Sequence, residues 1–261
     1  MGPGPGKLAV TESGLPGESL FGRLTFRPQA LPGEPPLAPG RHALRFTEGR
    51  EAVLIVPDGL EPGQPVPLLV LFHGAGGEAN RVLPSFVRWA RDRRFLLLAP
   101  QSMFTTWDVV IAGHGPDRQR LDEALGAVAA SFRIDPDHLA FAGFSDGGSY
   151  ALSLGTTNGD LVSHVIALSA GFMDTFVCNG APRVFIAHGR SDPQLPFETS
   201  ARRHALALLE AGVDLTLLPF DGGHVIVPWV VERAMSFFLG TQEAGADQGG
   251  TPAAAAPVSK P

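Results

Sequence analysis

Short runs of apolar residues with little polar alternation recur along the chain, and they limit its fold more than any other feature. They fall at Ala52–Pro57, Leu68–Phe72, Phe95–Pro100, Leu139–Phe144, Val162–Ser169, Val184–Ala187 and Leu215–Phe220. A strand covered on one face alternates apolar and polar side chains, whereas a strand covered on both faces stays apolar throughout. Several of these runs are continuous, so they read as strands of a sheet sandwiched between helices. Helical segments fit between them. Leu121, Leu125, Val128 and Phe132 fall at i, i+4, i+7 and i+11, one stripe of a helix that Asp117 is placed to cap. A second helix runs from about Phe197 to Ala211 and stops at Gly212. A third opens at Pro228, a position whose N–H would have no helical partner anyway. This alternation predicts an α/β fold with a mostly parallel central sheet. In such sheets chemistry gathers at the carboxyl ends of the strands.

The 261 residues, 44% of them apolar, suffice for one substantial core. Residues 1–40 read as a Gly/Pro-rich N-terminal extension, in which Gly22-Arg-Leu-Thr-Phe-Arg-Pro28 alternates like an edge strand. Residues 41–240 read as the folded α/β domain. The stretch 241–261 is Ala/Gly/Pro-rich, too poor in large apolar side chains to offset ordering entropy, and is expected to be a disordered tail. There is no internal repeat. A net charge of −6 without a Lys/Arg-rich run speaks against nucleic acid or an anionic membrane as partner. Cys178 is the only cysteine, which excludes an intrachain disulfide and a cysteine-cluster metal site. No apolar run approaches the ~18–20 residues needed to span a bilayer. The first residues lack the basic and apolar regions of a secretory signal, so a soluble cytoplasmic protein is the expectation.

Directly after the run at Leu139 comes Gly143-Phe-Ser145-Asp-Gly147-Gly148. This is G-x-S-x-G between a strand and a helix-compatible stretch, the setting of a nucleophile turn. A strained turn there would lift Ser145 clear of the sheet, with small residues two before and two after it. The following helix would aim its positive end at the same spot. The plain alternative is a Gly-rich turn with an incidental serine.

A serine hydroxyl needs a base to become a nucleophile. Of eight histidines, His224 in Asp221-Gly-Gly-His224 follows a late strand directly and has glycines to give it room. His204 sits mid-helix beside two arginines and is expected to be exposed; His42 and His138 precede strands, on the wrong sheet edge; His114 precedes the serine. For the acid, Asp192 in His188-Gly-Arg-Ser-Asp192 follows the preceding strand and would fix the histidine's tautomer and stabilise its imidazolium. Asp221 is the rival, more simply a turn former; Asp214 begins its strand, on the far edge. The loop His73-Gly-Ala75-Gly-Gly77 follows another strand end. Its backbone N–H groups would form an oxyanion hole with that of Asp146; Ala75 is the chosen donor, Gly74 and Gly76 its alternatives. His73 is expected to brace the loop.

The set HGAGG, GFSDGG, HGRSD and GGH resembles the α/β-hydrolase superfamily, and within it the bacterial phospholipase/carboxylesterase branch of serine esterases, over about residues 40–240. The resemblance implies an acyl-enzyme mechanism on carboxylic esters with Ser145, His224 and Asp192, a small-molecule ester as partner, and no cofactor or metal. The segment Gln101–Asp108 resembles the loop that borders the substrate groove in those esterases. Two departures matter: dienelactone hydrolases carry cysteine where Ser145 stands, and eukaryotic acyl-protein thioesterases usually carry Gln or similar where Asp146 stands.

Only about a dozen residues separate Ser169 from Val184, too few for a large lid domain. An open, partly apolar cleft bordered by Trp107, Phe172, Met173 and Leu195 is therefore expected, suited to short or medium acyl chains. Each of the four also reads as ordinary packing. The alternatives are a thioesterase or peptidase, a hydrolase of polymer esters (polyester or feruloyl type) with the same triad, and a non-catalytic binding module.

Overall fold

A computed structural model describes residues 9–10, 22–28, 31–46, 51–111, 113–175 and 177–240. The expected tail at 241–261 and most of the N-terminal extension lie outside the described residues. In chain order the elements are β1 (Ala9–Val10), β2 (Gly40–Leu44), β3 (Ala52–Val56), β4 (Val66–Phe72), α1 (Ala79–Val82), α2 (Pro84–Arg93), β5 (Leu96–Ala99), α3 (Asp108–Ile111), α4 (Pro116–Ser131), β6 (Ile134–Phe144), α5 (Asp146–Thr157), β7 (His164–Leu168), β8 (Val177–Cys178), β9 (Arg183–Gly189), α6 (Ala201–Glu210), β10 (Leu215–Phe220) and α7 (Pro228–Leu239). Eight strands form one sheet in the order β10-β9-β7-β6-β4-β5-β3-β2. Its strands are parallel from β10 to β5, and β3 and β2 are antiparallel. β1 pairs separately with β8.

All seven apolar runs are strands, and the sheet's two faces explain why they do not alternate. Leu68, Val70 and Phe72 point into one core with Leu121, Leu125 and Val128 of α4 and Leu152 and Leu154 of α5. Leu69 and Leu71 point into the other, with Phe86 of α2 and Val230, Ala234 and Phe238 of α7. Successive side chains leave a strand on opposite faces, so helices on both sides require apolar residues at every position. Between β7 and β9 the described residues hold only the two-residue β8, and no helix. No described helix is long and apolar enough to cross a membrane.

Three local expectations are corrected. Gly22–Pro28 is not a strand: its backbone donors go to side chains, Leu24 N–H to Asn158 Oδ1 and Thr25 and Phe26 N–H to Asp122, leaving no ladder. The edge strand is β2 instead. Asp117 does not cap α4; its carboxylate accepts from the N–H groups of Met103 and Asp108, tying the preceding loop to the helix. The second helix begins at Ala201 rather than near Phe197, whose ring instead lies 6.1 Å from that of His188.

Burial, helped by Arg183 and His138, pushes His164 from its ordinary 6.5 down to about 4. The folded protein thus excludes a proton that the unfolded chain binds. This contribution is intact above pH ~6.5 and is lost as pH falls toward 4. Burial acts in the opposite sense on Asp117, pushed up to about 6, whose folded form keeps a proton that the unfolded chain releases. The expected result is that His164→Gln shows a smaller fall of Tm between pH 7 and pH 4.5 than wild type. Parallel Tm profiles would show that His164 does not contribute.

Candidate active site

The turn between β6 and α5 holds Ser145 at φ 57°, ψ −123°, a conformation that costs energy for any side chain. The flanking glycines follow from contact distances. A Cβ on Gly143 would lie 2.1 Å from the carbonyl oxygen of Gly147, and one on Gly147 would lie 2.2 Å from that of Phe72. Strand, turn and helix therefore close on one another only where side chains are absent. The N–H of Ser145 donates to Leu168 O across the sheet at 2.9 Å.

Ser145 Oγ lies 2.9 Å from His224 Nε2, and His224 Nδ1 lies 2.7 Å from Asp192 Oδ2. The side chains come from the ends of β6, β9 and β10, and the last two loops are joined backbone to backbone. Arg190 N–H donates to Phe220 O and Ser191 N–H to Gly222 O, while a Cβ on Gly189 would strike the carbonyl oxygens of Gly222 and Gly223 at 2.4 and 2.3 Å. The Asp192 side chain is fully buried. Burial pushes its carboxyl up, but the N–H of Leu195, the His224 ring and the N–H of Gln194 outweigh this and hold it below the ordinary carboxylate range. Asp221 is exposed at the head of the His224 loop. His204, expected at the surface, is buried, with Nε2 3.2 Å from Gly171 O. The helix's inner face claims it, and the adjacent arginines gave no sign of that.

The HGAGG loop lies against the serine, with Ser145 Cβ 3.3 Å from the place where Gly74 would carry its own. His73 braces it. Its Nδ1–H donates to Gly74 O, and its Nε2 accepts from the N–H of Ser102 and the amide of Gln101. Gly76 N–H donates to Thr105 O and Gly77 N–H to Gly74 O. Gly76 is thereby spent. The N–H groups of Ala75 and of Asp146, at the first turn of α5, make no such bond among the described residues. The Asp146 carboxylate accepts from Thr106 Oγ1 at 2.6 Å.

No family model matches the chain. Among curated proteins it is similar to feruloyl esterase C of Emericella nidulans, 29% identical over 160 residues that make up 58% of this chain and 57% of that protein. The chain spans 57–62% of the length of the curated feruloyl esterase relatives it matches. Among solved structures it is similar to S-formylglutathione hydrolase from Staphylococcus aureus, with a TM-score of 0.62 and 16% identity over 76% of this chain and 98% of that one. It is also similar to a phospholipase/carboxylesterase from Dyadobacter fermentans, with a TM-score of 0.56 and 19% identity over 75% and 99% of the two chains. The chain has the α/β-hydrolase fold. The strand order with two antiparallel strands at one edge and the nucleophile turn at the sheet's centre are that fold's.

Of the residues expected to border a substrate cleft, Trp107 is placed in the core, 1% exposed. Its ring stacks on Tyr150 at 4.7 Å and its Nε1–H donates to His73 O. Phe172 and Met173 are half-buried against the core. Leu195 is half-buried with its side chain against Gly171. Phe104, Val110, Ile111, Val225 and Trp229, which sequence reasoning did not single out, are exposed large apolar side chains. Phe104 lies two residues from Thr106, which touches Asp146, and Val225 follows His224. Their position beside motif residues was the available signal. Among the described residues, no group of three or more His, Cys, Asp or Glu side chains is placed to hold a metal ion.

Proposed function

We propose that this protein is a serine carboxylesterase acting on short- to medium-chain esters through an acyl-enzyme. The supporting observation is the unbroken line from Ser145 Oγ through His224 to the buried Asp192 carboxylate. In the proposed reaction His224 Nε2 takes the proton of Ser145 as Oγ attacks the ester carbonyl. The oxyanion forms within reach of the N–H groups of Ala75 and Asp146, where one such donor is typically worth about 3–4 kcal/mol of barrier. His224 then protonates the departing alcohol, and a water deprotonated by His224 releases the acid. A second reading, an aryl-ester hydrolase of the feruloyl type, is favoured by the names of the curated relatives.

The test has two parts. A serine-directed phosphonate is expected to inactivate the protein and to be found on Ser145 by mass spectrometry; labelling elsewhere with Ser145 free would remove the nucleophile. Initial rates on p-nitrophenyl acetate, butyrate and decanoate and on methyl ferulate then separate the readings. Fastest turnover of butyrate supports the first, and preference for ferulate supports the second.

A further inference from the structure

We infer that His188 is a positioning residue, which acts through Asp192 to hold the acid of the relay in the orientation that His224 requires. The inference rests on the esterase reading. His188 is the second-last residue of β9, and its side chain is fully buried. Its Nε2 lies 2.6 Å from the carbonyl oxygen of Leu195 and 3.3 Å from Asp192 Oδ2. Both neighbours are acceptors, so the ring proton sits on Nε2; its hydrogen bond goes to Leu195 O, and the Asp192 carboxylate lies beside it in electrostatic contact. Leu195 in turn gives its own N–H to Asp192 Oδ1 at 2.9 Å, beside that of Gln194 at 2.9 Å. His188 therefore fastens the turn that supplies the carboxylate's backbone donors, with its ring against the carboxylate itself.

The arrangement divides the carboxylate cleanly. Oδ1 takes the two N–H groups of the turn, and Oδ2 faces the two imidazoles, with His224 the nearer at 2.7 Å. Burial holds His188 below its ordinary 6.5 against the pull of the Leu195 carbonyl and Asp192. The ring is thus a neutral donor. It holds the turn that orients Asp192 without cancelling the negative charge that would stabilise His224 as imidazolium during the reaction. A protonated His188 in the same place would compete with His224 for that charge. Its Nδ1 is buried without a protein partner among the described residues, consistent with all of the ring's hydrogen bonding being committed through Nε2.

The experiment compares wild type, Ser145→Ala, His188→Leu and His188→Gln, all confirmed folded by their Tm. Gln is chosen because its amide N–H reaches about as far as imidazole Nε2. Two readouts are taken: p-nitrophenyl butyrate kinetics, and the far-downfield proton resonance of an imidazole N–H bound to a carboxylate. His188→Leu is expected to lower kcat about 30-fold, the scale of one buried carbonyl left without its donor, with KM within twofold and the resonance shifted. His188→Gln is expected to recover kcat to within about fivefold of wild type and to restore the resonance. A folded His188→Leu with kcat within twofold of wild type and an unmoved resonance would overturn the inference. Equal losses in the Leu and Gln variants, tracking Tm, would do so as well, since that is the signature of packing alone. A wild type inactive on all esters would strike the esterase reading instead, leaving the resonance to decide on His188.

Discussion

Ser145→Ala is expected to lower kcat for p-nitrophenyl butyrate by a factor on the order of 10⁶, the scale seen when a serine nucleophile is removed from a complete relay. The size follows from what the rest of the site is left to do. On the proposed mechanism there is then no acyl-enzyme, and the N–H groups of Ala75 and Asp146 are left to assist only a direct attack by water. Oγ is bonded to His224 Nε2, and the strained backbone of the turn stays as it is because alanine meets the same φ restriction as serine. Tm should therefore change little. Equal activity in variant and wild type, measured on protein free of contaminating esterase, would remove Ser145 from the mechanism.

Asp192→Asn is expected to lower kcat by about 10⁴ at neutral pH, with KM little changed. The surroundings dictate which way the new amide points. Oδ1 accepts from the N–H groups of Gln194 and Leu195, so the amide oxygen must take that position. The NH₂ group then occupies the place of Oδ2, facing His224 Nδ1 at 2.7 Å. A donor there makes Nδ1 an acceptor and moves the ring proton to Nε2, the atom that has to receive the proton of Ser145. The same NH₂ would oppose the Nε2–H of His188. Loss should therefore exceed that of the His188 variants by more than a hundredfold. A drop of only tenfold would mean that Asp192 orients the loop but not the tautomer, and would return Asp221 to consideration.

Most of the architecture and the meeting of Ser145, His224 and Asp192 were legible in the sequence for one physical reason. Strands covered on both faces write themselves as unbroken apolar runs, and functional loops sit directly after them, so the ends of the Leu139, Val184 and Leu215 runs pointed to Ser145, Asp192 and His224. What escaped notice depended on contacts between residues far apart in the chain. Gly22–Pro28 has the alternation of a strand, but Asp122 and Asn158 take its N–H groups. Trp107 follows a loop like a groove residue, yet Tyr150 and His73 draw it into the core. His204 lies between an arginine and an apolar face, and only packing decides which face is inner. His188 shares the HGRSD motif with Asp192, but its contact with Leu195, seven residues on, is made only when the chain folds back over it.

The backbone bridge between the loops of Asp192 and His224 has a consequence for how such a molecule can change. Arg190, Ser191 and Gly189 fasten the acid's loop to the base's loop, so the two travel together and their mutual alignment is inherited from neighbouring strands. Phe104, Ile111 and Val225, by contrast, are more than half, or half, exposed. The alignment of Asp192 with His224 is thus carried by the sheet, while the exposed apolar side chains can be exchanged without disturbing it.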